Sequence, residues 1–291
     1  MDDFLQIAVG TFTMRPYVFA FLMVYLVAAV LHLGWRTTLL FTVCGYLVSF
    51  ASEVSSITTG FPYGWYYYLD ATKDRELWIA GVPFFDSLSY VFLCYCSYAT
   101  ALWTLSPVKV RKWDVTTLET RAIRRSFAAL LLGSLYQAFL DIIIDPVSLQ
   151  GSRWFLGQIY GYREPGLHFG VPLSNYLGWW LVSAVMIFTL QRLDSATQRR
   201  LSGDVPPRGV RHVPGKALLG PVLYLSVVIF NLTVAWLIGE RLHFLTGVFI
   251  YTLPTVIVLV LIVRRANRYS KDELAEHLRD YPWSPSTSRR G

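Results

Sequence analysis

The sequence predicts an all-α integral membrane protein, a bundle of about seven transmembrane helices. Hydrophobic residues make up 54% of the 291 residues and charged residues 15%, and the mean hydropathy is +0.42. Soluble domains carry about 25% charged residues. So much apolar surface cannot be buried in one soluble core of this size, which argues against a soluble enzyme, a disordered scaffold and a nucleic-acid-binding domain.

Seven apolar runs have the length that a helix needs to cross a bilayer, about 20 residues. The acidic start Met1-Asp2-Asp3 differs from the basic start of a signal peptide, so we expect the first run to be retained as a helix. The expected spans are residues 16–34, 38–57, 83–105, 127–145, 172–191, 217–238 and 243–263.

Basic residues set the expected orientation. Most of the 26 lysines and arginines fall in the connections at 106–126 and 192–216 and in the C-terminal tail, which lie on one side of a seven-span protein. The positive-inside rule then places the N-terminus outside and the C-terminus inside, in the cytoplasmic membrane. We expect a membrane domain at 1–269 and a cytoplasmic polar tail at 270–291. The net charge of +7 reflects insertion, and no basic–aromatic groove indicates nucleic acid as a partner.

Ionisable side chains collect at the outer end of the expected bundle. Glu53 lies near the end of the second span, Asp86 begins the third, Asp141 and Asp145 end the fourth, and Asn175 begins the fifth. Charged groups inside a membrane are costly and commonly serve a function. Helical spacing predicts two polar stripes, one of Ser49, Ser52, Glu53 and Ser56 and one of Ser134, Gln137, Asp141 and Asp145. For the serines, hydrogen bonding between helices is the alternative role.

The two outer connections, 58–82 and 146–171, are rich in aromatic residues, glycine and proline. Pro146 is expected to help end the fourth helix just after Asp145. The aromatic side chains are expected to line an outer cavity beside the acids, although a single tyrosine there is also typical of an interfacial belt. The candidate substrate-binding residues are Tyr63, Trp65, Tyr66, Tyr68, Asp86, Trp154 and Trp179.

Acids and aromatic residues in an apolar setting suit carbocation chemistry on an isoprenoid. Burial disfavours the charged form of a carboxyl group, which can then hold a proton near neutral pH and act as a general acid. A second, better solvated carboxylate can stay ionised and take a proton from water. Aromatic faces stabilise cations without attacking them.

Several motifs in order resemble one family of membrane enzymes. They are the Gly-x-Pro-x-Gly-x-x-x-Tyr stretch from Gly60 to Tyr68, Gly81-Val82-Pro83, the segment from Asp141 to Pro146, and the run from Phe169 to Trp179. Over about 45–180 the chain resembles the CruF family of carotenoid biosynthesis, the membrane-bound carotenoid 1′,2′-hydratases that include bisanhydrobacterioruberin hydratase. The resemblance implies addition of water across the terminal double bond of an acyclic carotenoid end, giving a tertiary 1′-hydroxyl without a redox cofactor.

Roles for the acids follow from their positions, since the resemblance carries no established catalytic residue. Glu53 or Asp141 is expected to protonate the alkene at C2′. Asp145 orients or deprotonates the attacking water, and Asn175 hydrogen-bonds a carboxyl group or the water. The aromatic side chains expected to hold the cation at C1′ include Trp65, Tyr66 and Tyr68. No cofactor or metal is expected, and the expected partners are a hydrophobic carotenoid, water, the lipid bilayer and other enzymes of carotenoid synthesis.

Two other classes of protein stay open as alternatives. A magnesium-dependent intramembrane prenyltransferase would use Asp141-x-x-x-Asp145 and Asp70-x-x-x-Asp74 to hold Mg²⁺ for a diphosphate, although the expected side is the outer one. A lipid- or solute-binding carrier would use the same acids, although no acidic relay leads to the inner side. A retinal photoreceptor is disfavoured because the last span has no lysine. The histidines and the three cysteines are too scattered to predict a metal site or a disulfide.

Overall fold

The computed structural model describes residues 2–112, 114–150, 159–199, 206–211 and 213–284. Within them, seven helices are long and apolar enough to cross a membrane, which confirms an all-α multi-pass protein. The helices are α1 (Asp2–Met14), α2 (Pro16–Leu33), α3 (Trp35–Thr59), α4 (Phe84–Leu105), α5 (Arg121–Arg124), α6 (Phe127–Ser148), α7 (Leu173–Arg199), α8 (Leu219–Leu237), α9 (Arg241–Arg265) and α10 (Lys271–Asp280). The seven long helices coincide with the seven expected runs.

Three short antiparallel ribbons lie in the connections between helices, formed by β1 with β6, β2 with β3 and β4 with β5. The strands are β1 (Tyr66–Tyr68), β2 (Trp78–Ile79), β3 (Val82–Pro83), β4 (Val108–Arg111), β5 (Asp114–Thr117) and β6 (Tyr160–Tyr162), and short 3₁₀ turns occur at Asp70–Thr72 and Lys216–Leu218. The β1–β6 ribbon joins the connection before α4 to the connection before α7, so two distant segments meet at one end of the bundle.

The two ends of the bundle differ in their side chains. The acid end, where α3 and α6 finish and α4 and α7 begin, carries Glu53, Asp86, Asp141 and Asp145. The basic end carries the connections before α6 and before α8. The expected gathering of the acids at one end of the bundle is therefore observed.

Helix α4 forms the centre of the bundle. In its membrane-length window 72% of the residues are buried, against 11% for α9. It contacts α2, α3, α6 and α8. Small residues of α4, among them Ser87, Cys94, Cys96, Ser97 and Ala101, are buried and allow close approach of its neighbours. The acid end of α4 is thus enclosed by other helices and lies away from lipid.

Helix α1 is an element that the expected spans do not include. Its 13 residues are too few to cross a bilayer, so a search for runs of membrane length passes over it. Thr11 Oγ1 accepts a hydrogen bond from the backbone N–H of Leu77 at 2.8 Å, and Gly10 lies against the backbone of Arg75. Helix α1 therefore packs on the connection between α3 and α4.

Pro146 does not end helix α6, contrary to the expectation from the sequence. The helix continues to Ser148 with Pro146 inside it. Proline has no N–H to bond the carbonyl of Ile142, one turn earlier. That carbonyl instead accepts a hydrogen bond from His168 Nε2 at 3.2 Å. The missing backbone bond is replaced from a neighbouring connection, which allows the helix to continue.

The described part of the C-terminal tail packs on the basic end. Ser270 and Glu273 form a capping box at the start of α10. His277 Nδ1 donates to the backbone carbonyl of Glu119 at 2.6 Å, and Asp280 Oδ2 accepts from the backbone N–H of Arg121 at 2.7 Å. The tail thereby contacts the connection between α4 and α6.

Candidate active site

Four carboxyl groups at the acid end form two pairs. Glu53 of α3 is buried, and Ser87 Oγ of α4 donates to its Oε2 at 2.6 Å. Asp86, the residue before Ser87, is half-buried and completes the first pair. Asp141 and Asp145, both buried and one turn apart on α6, form the second pair.

Asn175, in the first turn of α7, holds the second pair together. Its Nδ2 donates to Asp141 Oδ2 at 2.6 Å and to Asp145 Oδ2 at 2.7 Å. A side-chain amide has two N–H donors, which suits two carboxyl oxygens. The structure thus brings into direct contact three residues that the sequence places at the same depth.

The β1–β6 ribbon presents four tyrosines to the acids. Tyr66 pairs with Tyr162 and Tyr68 with Tyr160. Alternate positions of a strand share one face, so the four rings point to the same side. Tyr160 donates to Asp145 Oδ1 and Tyr162 to Asp145 Oδ2, each at 2.5 Å. The ribbon therefore supplies hydrogen-bond donors to a carboxyl group of the bundle.

The ribbon also reaches the first carboxyl pair. Tyr68 donates to Asp86 Oδ2 at 2.5 Å, and the Tyr66 hydroxyl lies 3.5 Å from that of Tyr68. Burial first, and then the negative charge of neighbouring acids, raises the pKa of all four ribbon phenols well above the usual value. At neutral pH these side chains are hydrogen-bond donors and stay uncharged.

The two members of each pair differ in their hydrogen bonds. Asp145 accepts three, whereas Asp141 accepts one and its Oδ1 has no partner in the described residues. Asp86 accepts from a tyrosine, whereas Glu53 accepts from a serine and its Oε1 is likewise unpaired. In each pair, one carboxyl group therefore accepts a hydrogen bond from tyrosine. The other carboxyl group lies deeper in the bundle and has one oxygen without a hydrogen-bond partner in the described residues.

A cavity of about 100 Å³ lies beside the two pairs. Asp86, Asp145 and Asn175 line it together with the four ribbon tyrosines, whereas Glu53 and Asp141 are not among the lining residues. Sites that enclose a whole drug-sized ligand have about 300–1,000 Å³. The cavity is therefore suited to the end of a long molecule.

Aromatic side chains form the rest of the cavity wall. Tyr90 of α4 stacks on Trp179 of α7 with ring centroids 4.1 Å apart, and Tyr63 is fully buried beside them. The side toward α2 and α8 is mostly apolar and includes Phe21 and Phe230. This wall offers π-faces to a cation and apolar contacts to a hydrocarbon chain.

Two candidate aromatic residues have other positions. Trp65 is 43% exposed, and its ring lies 4.5 Å from the guanidinium of Arg163, apart from the cavity lining. Trp154 lies outside the described residues. The expected residues that do line the cavity are Tyr63, Tyr66, Tyr68, Asp86, Asp145, Asn175 and Trp179.

Sequence reasoning missed Tyr90, Tyr160, Tyr162 and Ser87 as site residues. A signal for two of them is the alternation Tyr160-Gly161-Tyr162, which matches the spacing of Tyr66 and Tyr68. Tyr90 lies one turn from Asp86 on the same face of α4, and Ser87 is the residue that follows Asp86. The signal of Tyr160 and Tyr162 depends on knowing which strands pair, whereas that of Tyr90 needs only the periodicity of α4.

Two histidines that look unrelated in the sequence meet at helix α6. His168 Nε2 donates to the carbonyl of Ile142, and His243 Nε2 donates to that of Ile143 at 3.3 Å. The ring of Phe169 contacts that of His243 at 5.0 Å. These contacts hold the Pro146 turn, which carries Asp145, from two sides.

In the described part of the chain, no salt bridge joins any of these four acids to a cation. Arg15, at the start of α2, is bound by both carboxyl oxygens of Glu76 at 2.9 and 3.2 Å and stacks on Phe85 at 4.1 Å. Among the described residues, no three His, Cys, Asp or Glu side chains are grouped to hold a metal ion. Asp70 and Asp74 are exposed, and Asp70 pairs with Lys73 at 3.4 Å.

Comparison with known proteins gives the family. Residues 12–254 match the family model described as carotenoid biosynthesis protein. The chain belongs to this family. Its role is therefore in carotenoid biosynthesis, as the motif resemblance predicts. No curated protein and no solved structure gives a significant match.

Proposed function

We propose that the protein adds water across the terminal double bond of an acyclic carotenoid end group through a tertiary carbocation. The observation that carries the proposal is the cavity where two carboxyl pairs meet an aromatic and apolar wall. A small cavity suits one end of a long carotenoid. Because Asp86 and Asp145 both line it, groups from both pairs can act on the same double bond.

The first step is protonation of C2′ by Glu53 or Asp141. Each has an oxygen without a hydrogen-bond donor in the described residues, so its anion is poorly stabilised and its neutral form is favoured. The proton passes to the cavity through the partner carboxyl, Asp86 for Glu53 and Asp145 for Asp141. Two adjacent carboxyl groups hold one negative charge more readily than two.

The tertiary cation at C1′ is stabilised by aromatic faces. Tyr66, Tyr68 and the stacked Tyr90–Trp179 pair line the cavity. Cation–π contacts contribute about 0.5–2 kcal/mol each, most in a desolvated site. The ribbon phenols are held neutral, so they stabilise the cation without forming an ether.

Asp145 completes the reaction by taking a proton from the attacking water. Its three donors, Tyr160, Tyr162 and Asn175, stabilise its anionic form. A C–H bond forms at C2′ and a C–O bond at C1′, while one proton is consumed and one is returned. The addition involves no net oxidation or reduction, so this scheme needs no redox cofactor.

Expression in a bacterium that accumulates lycopene tests the proposal. Chromatography and mass spectrometry of the pigments should detect a more polar product, heavier by one water and carrying a tertiary hydroxyl. Pigments heavier by prenyl units, with activity lost in EDTA, would identify the transferase instead. Unchanged pigments across several acyclic carotenoids, with the protein present in the membrane, would favour a carrier. We also propose the cytoplasmic membrane as its location, with the acid end outside.

A further inference from the structure

Below the two deeper carboxyls lie polar side chains that the proposed reaction does not use. Ser49 Oγ, Ser183 Oγ and both polar atoms of the Gln137 side chain are buried and have no hydrogen-bond partner in the described residues. A helical serine commonly bonds a carbonyl of its own helix, as Ser134 does to Leu131 at 3.0 Å. Buried polar groups without a protein partner are normally satisfied by bound water.

Contacts at two glycines fix the depth of these side chains. Gly45 of α3 lies against Met186 of α7, and Gly133 of α6 lies against Ile187 of α7. Helix α7 runs antiparallel to α3 and α6. One helical turn closer to the acid end is therefore a residue with a higher number on α3 and α6 and a residue with a lower number on α7. The residues at that level are Ser49 on α3, Gln137 on α6 and Ser183 on α7.

This level lies one helical turn from the acids, between them and a layer of apolar side chains. Ser49 precedes Glu53, and Gln137 precedes Asp141, by one helical turn on the same face. On the side of the basic end, the two glycines lie against the fully buried side chains of Phe41, Met186 and Ile187 and against the backbone of Tyr98. This layer is apolar, whereas the carboxyl pairs lie on the other side of the three polar residues.

We infer that Ser49, Gln137 and Ser183 form a core chamber that binds the water consumed in the reaction and delivers it past Asp141 to Asp145. The inference rests on the proposed function. Buried waters typically make about three hydrogen bonds, and the chamber offers an amide group and two hydroxyls. Water then arrives from the side of α3, α6 and α7, while the hydrocarbon lies on the side of α2 and α8.

Separate storage of water matters because the cation at C1′ has two fates. If water adds, a C–O bond forms and the released proton goes to Asp145. If water is absent, a carbon next to C1′ loses a proton to the same carboxylate and an alkene forms again. In D₂O, the second fate leaves a deuterium at C2′ in the recovered alkene. The ratio of hydrated product to deuterated alkene therefore measures water delivery.

The test uses membranes that contain the full-length protein, with lycopene in D₂O and mass spectrometry of all pigments. The wild type should yield mainly the hydrated product. Gln137→Leu, close in shape, and Ser183→Ala should each lower the ratio of hydrated product to deuterated lycopene about tenfold, the scale of one lost hydrogen-bonding partner. The sum of both products, which reports protonation, should change little.

Ser134→Ala is the matched control. It makes the same change as Ser183→Ala at a buried hydroxyl that is already bonded to its own helix, so the wild-type ratio is expected. An unchanged ratio in both test variants, with a wild type that hydrates, would overturn the chamber and leave the proposed function intact. An equal fall of this ratio in Ser134→Ala would show that the effect comes from packing and would also overturn the chamber. A wild type that neither hydrates nor deuterates would refute the proposed function itself.

Discussion

The two ends of the bundle both bury carboxyl groups, but they neutralise them differently. At the basic end, Glu119 Oε2 accepts from Arg124 Nε at 2.7 Å and from His32 Nε2 at 3.0 Å, and Arg124 Nη1 lies 3.6 Å from Asp194. Burial alone would raise the pKa of Glu119, yet His32 and Arg124 hold it well below its ordinary value of 4.5. At the acid end, the carboxyls meet phenols, an amide and a hydroxyl.

This comparison distinguishes buried carboxylates that have cationic partners from buried carboxyl groups that have neutral partners. An arginine partner compensates the charge of a buried carboxylate, and removing either residue leaves the other as an unpaired buried charge. A buried carboxyl with neutral partners keeps a desolvation cost that favours its protonated form. Membrane proteins retain such uncompensated groups mainly where they have a function. Under the proposed function, the acid end serves proton transfer, whereas the ion pairs of the basic end serve stability.

The largest expected effect comes from removing the deeper acids. Of Glu53→Gln and Asp141→Asn, the variant that removes the general acid should lower hydration of an acyclic carotenoid by at least about 10²-fold, the scale of general acid catalysis. Thermal stability should stay equal or rise, because a buried carboxyl is replaced by a neutral amide. Product yield and thermal unfolding in detergent check both. Full activity in both variants would remove these residues from the mechanism.

The reverse pattern is expected at the basic end. Glu119→Gln leaves Arg124 with a weaker set of partners and should lower the free energy of unfolding by about 3–5 kcal/mol. Hydration per folded molecule should stay at the wild-type level, because Glu119 lies at the opposite end from the acids. Thermal unfolding and activity normalised to folded protein measure the two effects. Lost activity with unchanged stability would contradict the division between the ends.

A smaller effect is expected at the ribbon. Tyr160→Phe and Tyr162→Phe each remove one donor to Asp145, a hydrogen bond to a charged group worth about 1.5–3 kcal/mol. Each change should lower the rate of hydration roughly tenfold or more. Tyr67→Phe is the matched control, since Tyr67 is exposed on the other face of β1. Equal rates for the three variants would show that the ribbon does not act through Asp145.

The smallest effect is the pH dependence of tail docking. Burial lowers the pKa of His277 below its ordinary value of 6.5, and this effect outweighs the hydrogen bond to the Glu119 carbonyl, which raises the pKa. A depressed folded pKa means that the docked state contributes its full stability above about pH 6.5 and loses it as the pH falls. Hydrogen exchange in α10 should therefore quicken from pH 7.5 to 5.5 after correction for the intrinsic rate. His277→Gln should weaken that dependence.

The sequence predicts the spans and the grouping of the acids because the membrane imposes both. A span must be apolar over about 20 residues, and Glu53 or Asp141 stands out in such a run. Asn175 could be placed at the correct depth by counting residues. These inferences need only local sequence and one orientation rule.

The ribbon and the direction of single side chains could not be predicted in the same way. Tyr66 meets Tyr162 only because two connections pair, and no local signal states which strands pair. Trp65 adjoins Tyr66 in sequence but lies outside the cavity, since neighbouring strand residues point to opposite sides. Pro146 stays within its helix because His168, from another segment, bonds the carbonyl that proline leaves free.

The pairing of β1 with β6 also has a consequence for biogenesis. The ribosome completes α3, α4 and α6, with all four carboxyls, before it makes β6 and Asn175. Until then Asp145 lacks the phenols and the amide that stabilise its anion. Under the proposed mechanism, the nascent chain therefore carries its acids into the membrane before they are able to act. The same mechanism predicts that hydration begins only when the second half of the protein has been synthesised and has joined the first.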